Sequence, residues 1–332
     1  MVIVMTNMDD MSKKPRRTLG LLLIDGFALM SYASLIEPFR AANDLSGEDL
    51  YDWVHISVDG APVAASNGAT ILADRKVGDP LACDTLFVFA AGDPAAFRDD
   101  RTFAWLRKLA REDVRIAGIS GGPYLLARAG LLSGYRATIH WEHEARLADE
   151  FPLLVLESSL YVIDRRRLTC AGGVAGLDLA VDLIERDQGS GLATQVSEWF
   201  IRTETRTAER PQRLSLRDRY RVNDDTVLRA LAVMEAEIEA PVPRELLARM
   251  VGVSPRQLDR LFQSALNQSA TRAYLRIRLE KAEQLLRTTG LSVTEAGLAC
   301  GFASASHFSR IYKQHFDMCP NDARRRPPFS PA

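Results

Sequence analysis

The first two hundred residues alternate short apolar bursts with stretches of helical periodicity. Leu19 to Ile24 reads as a buried strand, and Ala33 to Asn43 as an amphipathic helix interrupted at Glu37-Pro38. Trp53 to Val58 is a second strand and Thr85 to Phe89 a third, ending on Ala90-Ala91-Gly92. Phe103 to Ala110 is helical, Val114 to Ile119 is a strand, and Pro123 to Ala129 starts a helix at once. A short strand ends at Thr138, Glu142 to Glu150 is helical, and two strands lie between Leu154 and Thr169. Leu177 to Ile184 and Leu192 to Phe200 are again helical. Strands alternating with helices predict an α/β domain over residues 18–201, with helices on both faces of an open, mostly parallel sheet. Residues 202–221 turn polar and arginine-rich around Pro211 and read as a linker, while residues 1–17 and 327–332 read as a flexible start and a tail.

From residue 222 to 326 the periodicity is helical throughout, and it says the same thing twice. Leu247-Ala248-Arg249-Met250-Val251-Gly252-Val253-Ser254 runs into Pro255-Arg256-Gln257-Leu258-Asp259-Arg260-Leu261-Phe262. Ala296-Gly297-Leu298-Ala299-Cys300-Gly301-Phe302-Ala303-Ser304 runs into Ala305-Ser306-His307-Phe308-Ser309-Arg310-Ile311-Tyr312. Each copy is an apolar helix with a small residue, a glycine able to take positive φ, a serine able to cap, and a second amphipathic helix. One such match is weak, since helical hairpins with a glycine turn are common. Two, with glycines 49 positions apart and the helix-like segment Ala270 to Leu286 between them, predict an all-α domain of two helix-turn-helix units. A rigid helix between them would hold two reading helices at a separation suited to successive major grooves, roughly 34 Å apart.

Charge sharpens that picture. The net charge of −1 divides into a surplus of six basic residues from Arg213 onward and a deficit of seven before it. A basic module beside an acidic one suits phosphate neutralisation by one part only. The four cysteines (Cys83, Cys170, Cys300, Cys319) are scattered without C-x-x-C or metal-ligand spacing, which predicts free thiols and no metal or other cofactor. Neither a signal-peptide pattern nor an apolar run long enough for a membrane span is present, so a cytoplasmic location away from the membrane is expected.

One turn carries candidate chemistry. Gly118-Ile119-Ser120-Gly121-Gly122 follows a strand, opens a helix and matches G-x-S-x-G, the elbow that exposes a nucleophile. Three readings compete: hydrolase nucleophile, ligand pocket, or a purely structural turn. In a hydrolase the acid and then the histidine follow well downstream, whereas His140 comes soon after the elbow and His307 and His315 belong to the helical module. His140, Glu142, His143 and Glu144 lie together but lack the spacing of zinc motifs and read as solvated charge. Phe27, Tyr32, Tyr124 and Trp141 flank the expected pocket, and aromatic rings beside a carboxylate suit an organic cation.

The residues also carry resemblances. The segment from about Val222 to Arg326 resembles the AraC/XylS DNA-binding domain, most plainly in Ser292-Val293, Cys300-Gly301-Phe302, Phe308-Ser309-Arg310, Phe316 and Pro320. Gly297, Asp317 and Cys319 depart from the alanine, glycine and serine usual there. Residues from about Thr18 to Phe200 resemble the ThiJ/PfpI group of the flavodoxin-like, class I glutamine amidotransferase-like fold, through the elbow, Leu126-Ala127, Ala129-Gly130-Leu131-Leu132 and Ala137-Thr138-Ile139-His140-Trp141. In active members the elbow carries a cysteine, helped by a histidine and by an acid following the first strand. Here those positions hold Ser120, His140 and Ser31, which implies a pocket kept for binding and not for turnover.

The whole arrangement is similar to the GlxA family of transcriptional regulators, and within it to regulators of arginine, glycine betaine and carnitine catabolism. That resemblance implies a regulator, an activator of a catabolic operon, that binds promoter DNA as a homodimer, meets RNA polymerase and senses a small amino-acid-derived effector. The alternative is an amidase or hydrolase using Ser120, with a DNA-binding appendage. Ser31, Tyr32, Glu37, Ser120, Gly121, His140, Trp141 and Glu142 are the expected effector contacts, with Ser120 and backbone N–H groups meeting a carboxylate. Ser254, Arg256, Gln257, Asp259, Arg260, Ser304, Ser306, His307, Arg310 and Lys313 are the expected DNA contacts.

Overall fold

Leu19–Leu23 and Thr85–Ala90 are buried along their length, as befits strands covered by helices on both faces. The computed structural model describes residues 16–204 and 206–325 and divides the chain into two compact units, between Gln212 and Arg213. The α/β unit runs β1 (Arg17–Leu23), α1 (Leu29–Ser46), β2 (Tyr51–Ser57), the short pair β3 (Val63–Ala64) and β4 (Thr70–Ile71), β5 (Arg75–Lys76) and β6 (Thr85–Ala90). It continues with α2 (Asp100–Arg111), β7 (Arg115–Ser120), α3 (Gly122–Arg128), β8 (Arg136–Ala137), α4 (Trp141–Glu150) and β9 (Val155–Leu156). The hairpin β10 (Tyr161–Asp164) and β11 (Arg167–Cys170) leads into α5 (Ala175–Gln188) and α6 (Ser190–Trp199).

Seven strands form one sheet in the order β10-β11-β7-β6-β1-β2-β5, parallel except for β10. Alternation along the strands feeds two cores. Leu19, Leu21, Leu23, Phe87, Phe89, Ala117 and Ile119 face α1, α5 and α6, while Leu22, Leu86, Val88 and Ile116 face α2, α3 and α4. The expected break in the first helix does not occur: α1 runs through Pro38, whose ring is buried beside Leu35, Ile36, Phe39, Ala41 and Ala42. A proline removes one helical hydrogen bond, and burial of the apolar face holds the helix together around that loss.

The stretch read as a linker is held on both sides of the unit boundary. Arg202 and Arg206 both pair with the buried carboxylate of Asp178 on α5, Arg202 at 2.7 Å. Leu160 N–H donates to the Ala208 carbonyl at 2.8 Å. Beyond the boundary α7 (Leu216–Tyr220) is fastened by Arg219 and Tyr220 to Glu235, at 2.7 and 2.8 Å.

The helical unit continues with α8 (Asp225–Ala236), α9 (Arg244–Met250), α10 (Pro255–Leu266), α11 (Ala270–Thr288), α12 (Val293–Ala299), α13 (Ala305–Phe316) and α14 (Pro320–Arg325). Arg324 and Arg325 close α14, whereas Arg326 and residues 1–15 and 327–332 lie outside the described residues. The duplication extends beyond the hairpins. Ser254 and Ser304 cap α10 and α13, and Asn267 and Asp317 end them in left-handed conformation at φ 54° and 53°. Arg229 on α8 reaches the Val251 carbonyl at 3.4 Å, while Arg278 on α11 holds the Cys300 and Gly301 carbonyls at 2.8 and 2.6 Å. Thus α8–α9–α10–α11 is repeated as α11–α12–α13–α14, and α11 serves both copies.

Candidate functional sites

At the carboxyl end of the parallel strands, β7 ends on Ser120 at φ 60°, a conformation costly for a residue with a side chain. The elbow demands its glycines, since a Cβ on Gly122 would stand 2.1 Å from the Val88 carbonyl oxygen. Two elements converge on Ser120. His140, at the start of α4, donates its backbone N–H to the Ser120 carbonyl at 3.3 Å. From the other side comes Gly172, where an added Cβ would lie 2.7 Å from both Ser120 Cβ and Ser31 Oγ. Ser31 and Ser120 therefore flank one glycine, and both are buried.

The polar groups around the elbow are largely committed. Ser31 Oγ accepts the Gly173 N–H at 2.7 Å. His140 Nδ1 accepts the Glu142 N–H at 3.4 Å as the cap of α4 and lies 3.6 Å from the Glu142 carboxylate. Burial holds the imidazole below its ordinary range, with Glu142 acting in the opposite sense. The His140 ring lies 5.4 Å from Trp141 and 6.0 Å from His143. Tyr32, next to Ser31, packs edge-on against Phe27 and Phe89, and burial raises its pKa. Its hydroxyl meets His55 Nε2 at 2.8 Å, and His55 N–H donates to Asp74 at 2.8 Å. His55 was not legible beforehand, because a lone histidine inside a strand carries no motif.

Several expected effector contacts are placed otherwise. Gly121 N–H donates to the Ala90 carbonyl at 2.8 Å, so it is not offered to a ligand carboxylate. Glu37 is half-exposed and paired with Arg40 at 2.8 Å. Tyr124 is fully buried in the core beneath α3, with its hydroxyl on Glu150, and so cannot line the cleft. Phe27 is likewise fully buried, its ring edge-on to Tyr32 at 5.8 Å. Ser31 and Ser120 meet at Gly172 and His140 abuts Ser120, with Glu142 and Trp141 beside the His140 ring, whereas Tyr32 is turned toward Phe27, Phe89 and His55.

In the helical unit α10 buries Leu258 and Phe262, and α13 buries Phe308 and Tyr312. The exposed face of α10 then carries Arg256, Gln257, Arg260 and Gln263, and that of α13 Ser306, His307, Arg310 and Lys313. Gln263 was not among the expected contacts, although it occupies the place of Lys313 one repeat earlier. Ser254 and Ser304 accept the N–H groups of Gln257 and His307 at 3.2 and 3.1 Å, and Ser304 Oγ also meets Ser306 Oγ at 3.1 Å. Asp259 is turned inward as a correction to the expected DNA set: it pairs with Arg244 at 3.0 Å and accepts the Ala270 N–H at 3.2 Å. Arg278 was also unforeseen. Half-buried, it covers the Phe302 ring at 4.2 Å while binding the end of α12.

Comparison with known proteins agrees with both halves. Residues 18–186 match the DJ-1/PfpI family and residues 247–326 a helix-turn-helix domain. The chain is 42% identical over 303 residues to the HTH-type transcriptional regulator CdhR of Pseudomonas aeruginosa, covering 91% of this chain and 90% of that one. It is 41% identical over 309 residues to the HTH-type transcriptional regulator GlxA of Rhizobium meliloti, covering 93% and 95%. A ThiJ/PfpI family protein from Pseudomonas syringae shares the fold at a TM-score of 0.51 and 22% identity, covering 71% of this chain and 93% of that one. The α/β unit with its strained elbow and the twice-built helical module thus belong together: the chain is a member of the GlxA-type family of HTH transcriptional regulators, which join a DJ-1/PfpI domain to an AraC-type DNA-binding module.

Proposed function

We propose that the elbow cleft is an effector site and that its occupancy controls how the helical module acts at a promoter. The effector is a small cation that also bears a carboxylate, of the betaine, carnitine or arginine class. The observation that carries this reading is the neutral, buried pair Ser31 and Ser120 across Gly172, in place of a nucleophile with an acid. A serine hydroxyl needs an oriented base to attack, and His140 Nδ1 is already committed to its own helix. A hydroxyl, an imidazole and the rings of Tyr32 and Trp141 suit binding, with the rings and Glu142 toward the cationic end. The protein works in the cytoplasm, where a regulator of this family meets promoter DNA. It acts as a homodimer, activates transcription through RNA polymerase, and contacts DNA through Arg256, Gln257, Arg260, Gln263, Ser306, His307, Arg310 and Lys313, with Ser254 and Ser304 capping.

The test is calorimetry of the full-length protein against glycine betaine, carnitine and arginine, with Trp141→Ala and Ser120→Ala as variants. A ligand that binds the native state also raises the melting temperature. Saturable binding weakened by both substitutions supports the reading. Binding untouched by either moves the effector site elsewhere, and hydrolysis lost in Ser120→Ala replaces sensor with enzyme. A monomer in light scattering at micromolar concentration, with and without promoter DNA, removes the dimer.

A further inference from the structure

We propose that Gln212 is the positioning residue through which the elbow cleft acts on the DNA-binding module, an inference that rests on the effector reading of that cleft. Its side-chain amide is engaged by the loop that carries the site and by the carbonyl of Ser159, just ahead of β10. Oε1 accepts the Trp141 N–H at 2.8 Å, and Nε2 donates to the Ile139 carbonyl at 2.8 Å, to Thr138 Oγ1 at 3.0 Å and to the Ser159 carbonyl at 3.0 Å. Thr138 and Ile139 lead directly to His140, and Trp141 follows it, so Gln212 grips the chain on both sides of the residue that abuts Ser120. A shift of this loop around a ligand must carry Gln212 with it or break several hydrogen bonds within a partly buried site.

What happens next in the chain makes the grip consequential. Gln212 is the last residue of the α/β unit, and Arg213, one peptide bond later, is paired with Glu235 of the helical unit at 3.7 Å. Upstream the segment is fixed, by Arg202 and Arg206 on the buried Asp178 and by Ala208 on Leu160. Displacement of Gln212 is therefore blocked toward the α/β unit and transmitted toward residue 213. The polar stretch around Pro211 thus works as a strap and not as a slack tether. Coupling between sites of this kind ranges from about 5-fold to 150-fold in affinity.

The experiment uses the full-length protein, an operator duplex selected from random DNA, and glycine betaine as the probe. Gln212→Met keeps the volume and removes the hydrogen bonds, and Gln212→Glu sets a carboxylate against the Ile139 and Ser159 carbonyls. Both variants are expected to bind betaine within about threefold of wild type and to melt cooperatively, while the betaine-induced change in operator affinity collapses toward onefold. A full ligand effect retained in both overturns the role of Gln212. If the wild-type protein does not bind betaine, the effector reading fails for that probe, and a ligand-free arm decides the strap. Operator affinities of Trp141→Ala, Gln212→Met and the double variant should then be non-additive by about threefold or more, and additive effects overturn the proposal.

Discussion

Gly297 on α12 lies under the ring of Phe308 on α13, and a methyl group in its place would meet Cδ1 at 3.0 Å. The same positions one repeat earlier hold Ala248 and Leu258, both fully buried. The larger ring in the second copy goes with the smaller residue beneath it. Gly297→Ala gains about 1 kcal/mol of helix propensity but overpacks a filled site, which costs about 1–3 kcal/mol. The expected result is a net loss of stability in chemical denaturation of the full-length protein. Adding Phe308→Leu, which recreates the first copy's pair, should recover part of that loss. A strictly additive double variant would falsify the packing account.

Arg256, Arg260 and Arg310 stand exposed on α10 and α13, whereas Asp259 between the first two faces inward to Arg244 and Ala270. Alanine at an arginine that reads a base should cost about 1–3 kcal/mol of specific binding and relax one operator position. Equal losses on operator and random DNA would make that arginine a phosphate contact. Asp259→Ala should instead lower stability by about 1–2 kcal/mol, as loss of a cap-like bond does, and leave base preference unchanged in a binding-site selection.

Arg278 ties α11 to the end of α12 through two carbonyls and lies over Phe302, and burial draws its pKa below the usual guanidinium value. A lysine cannot reproduce the fork or the stacking. Arg278→Lys is expected to destabilise the second copy by about 1.5–3 kcal/mol, read as a fall in melting temperature with weakened operator binding. A lysine variant indistinguishable from wild type would show the fork to be dispensable.

The α/β unit should lose stability on mild acidification. His140 titrates below its ordinary value because it is buried, and Glu142, Trp141 and His143 are the groups that face it. An unfolded histidine titrates near about 6.5, so between that value and the lower folded one the unfolded chain binds more protons. Stability is complete above the unfolded value and declines as pH falls toward the folded one. The melting temperature should drop as pH falls below about 6.5, and His140→Gln should flatten that slope. An unchanged slope in the variant assigns the acid sensitivity to other groups.

Much of this architecture was legible because periodicity is written locally. The buried alternation of Leu19 to Leu23 and Phe87 to Phe89, the glycine turns at Gly252 and Gly301 and the caps Ser254 and Ser304 all announce themselves within a few residues. Pro38 misled, since the proline signal is local while the packing that keeps α1 whole comes from α5 and α6. The elbow itself was legible at Ser120 and His140, where the turn chemistry is tied to sequence spacing. It was illegible at His55, Gln212, Asp259 and Arg278, because their partners lie on other elements and no motif links them. Glu37 is paired with Arg40 three residues on, a local partner that its place beside Tyr32 did not announce.

The sharing of α11 between the two repeats has a consequence for the promoters this protein can serve. Each residue inserted into that helix would rotate the second reading head by about 100° and carry it about 1.5 Å along the axis, and about seven residues, near 10.5 Å, would pass before the faces realigned. Side chains can drift one at a time on α10 and α13, but the interval between the two helices cannot drift with them. Every operator recognised through both heads must therefore keep one phase of the double helix, whatever its letters.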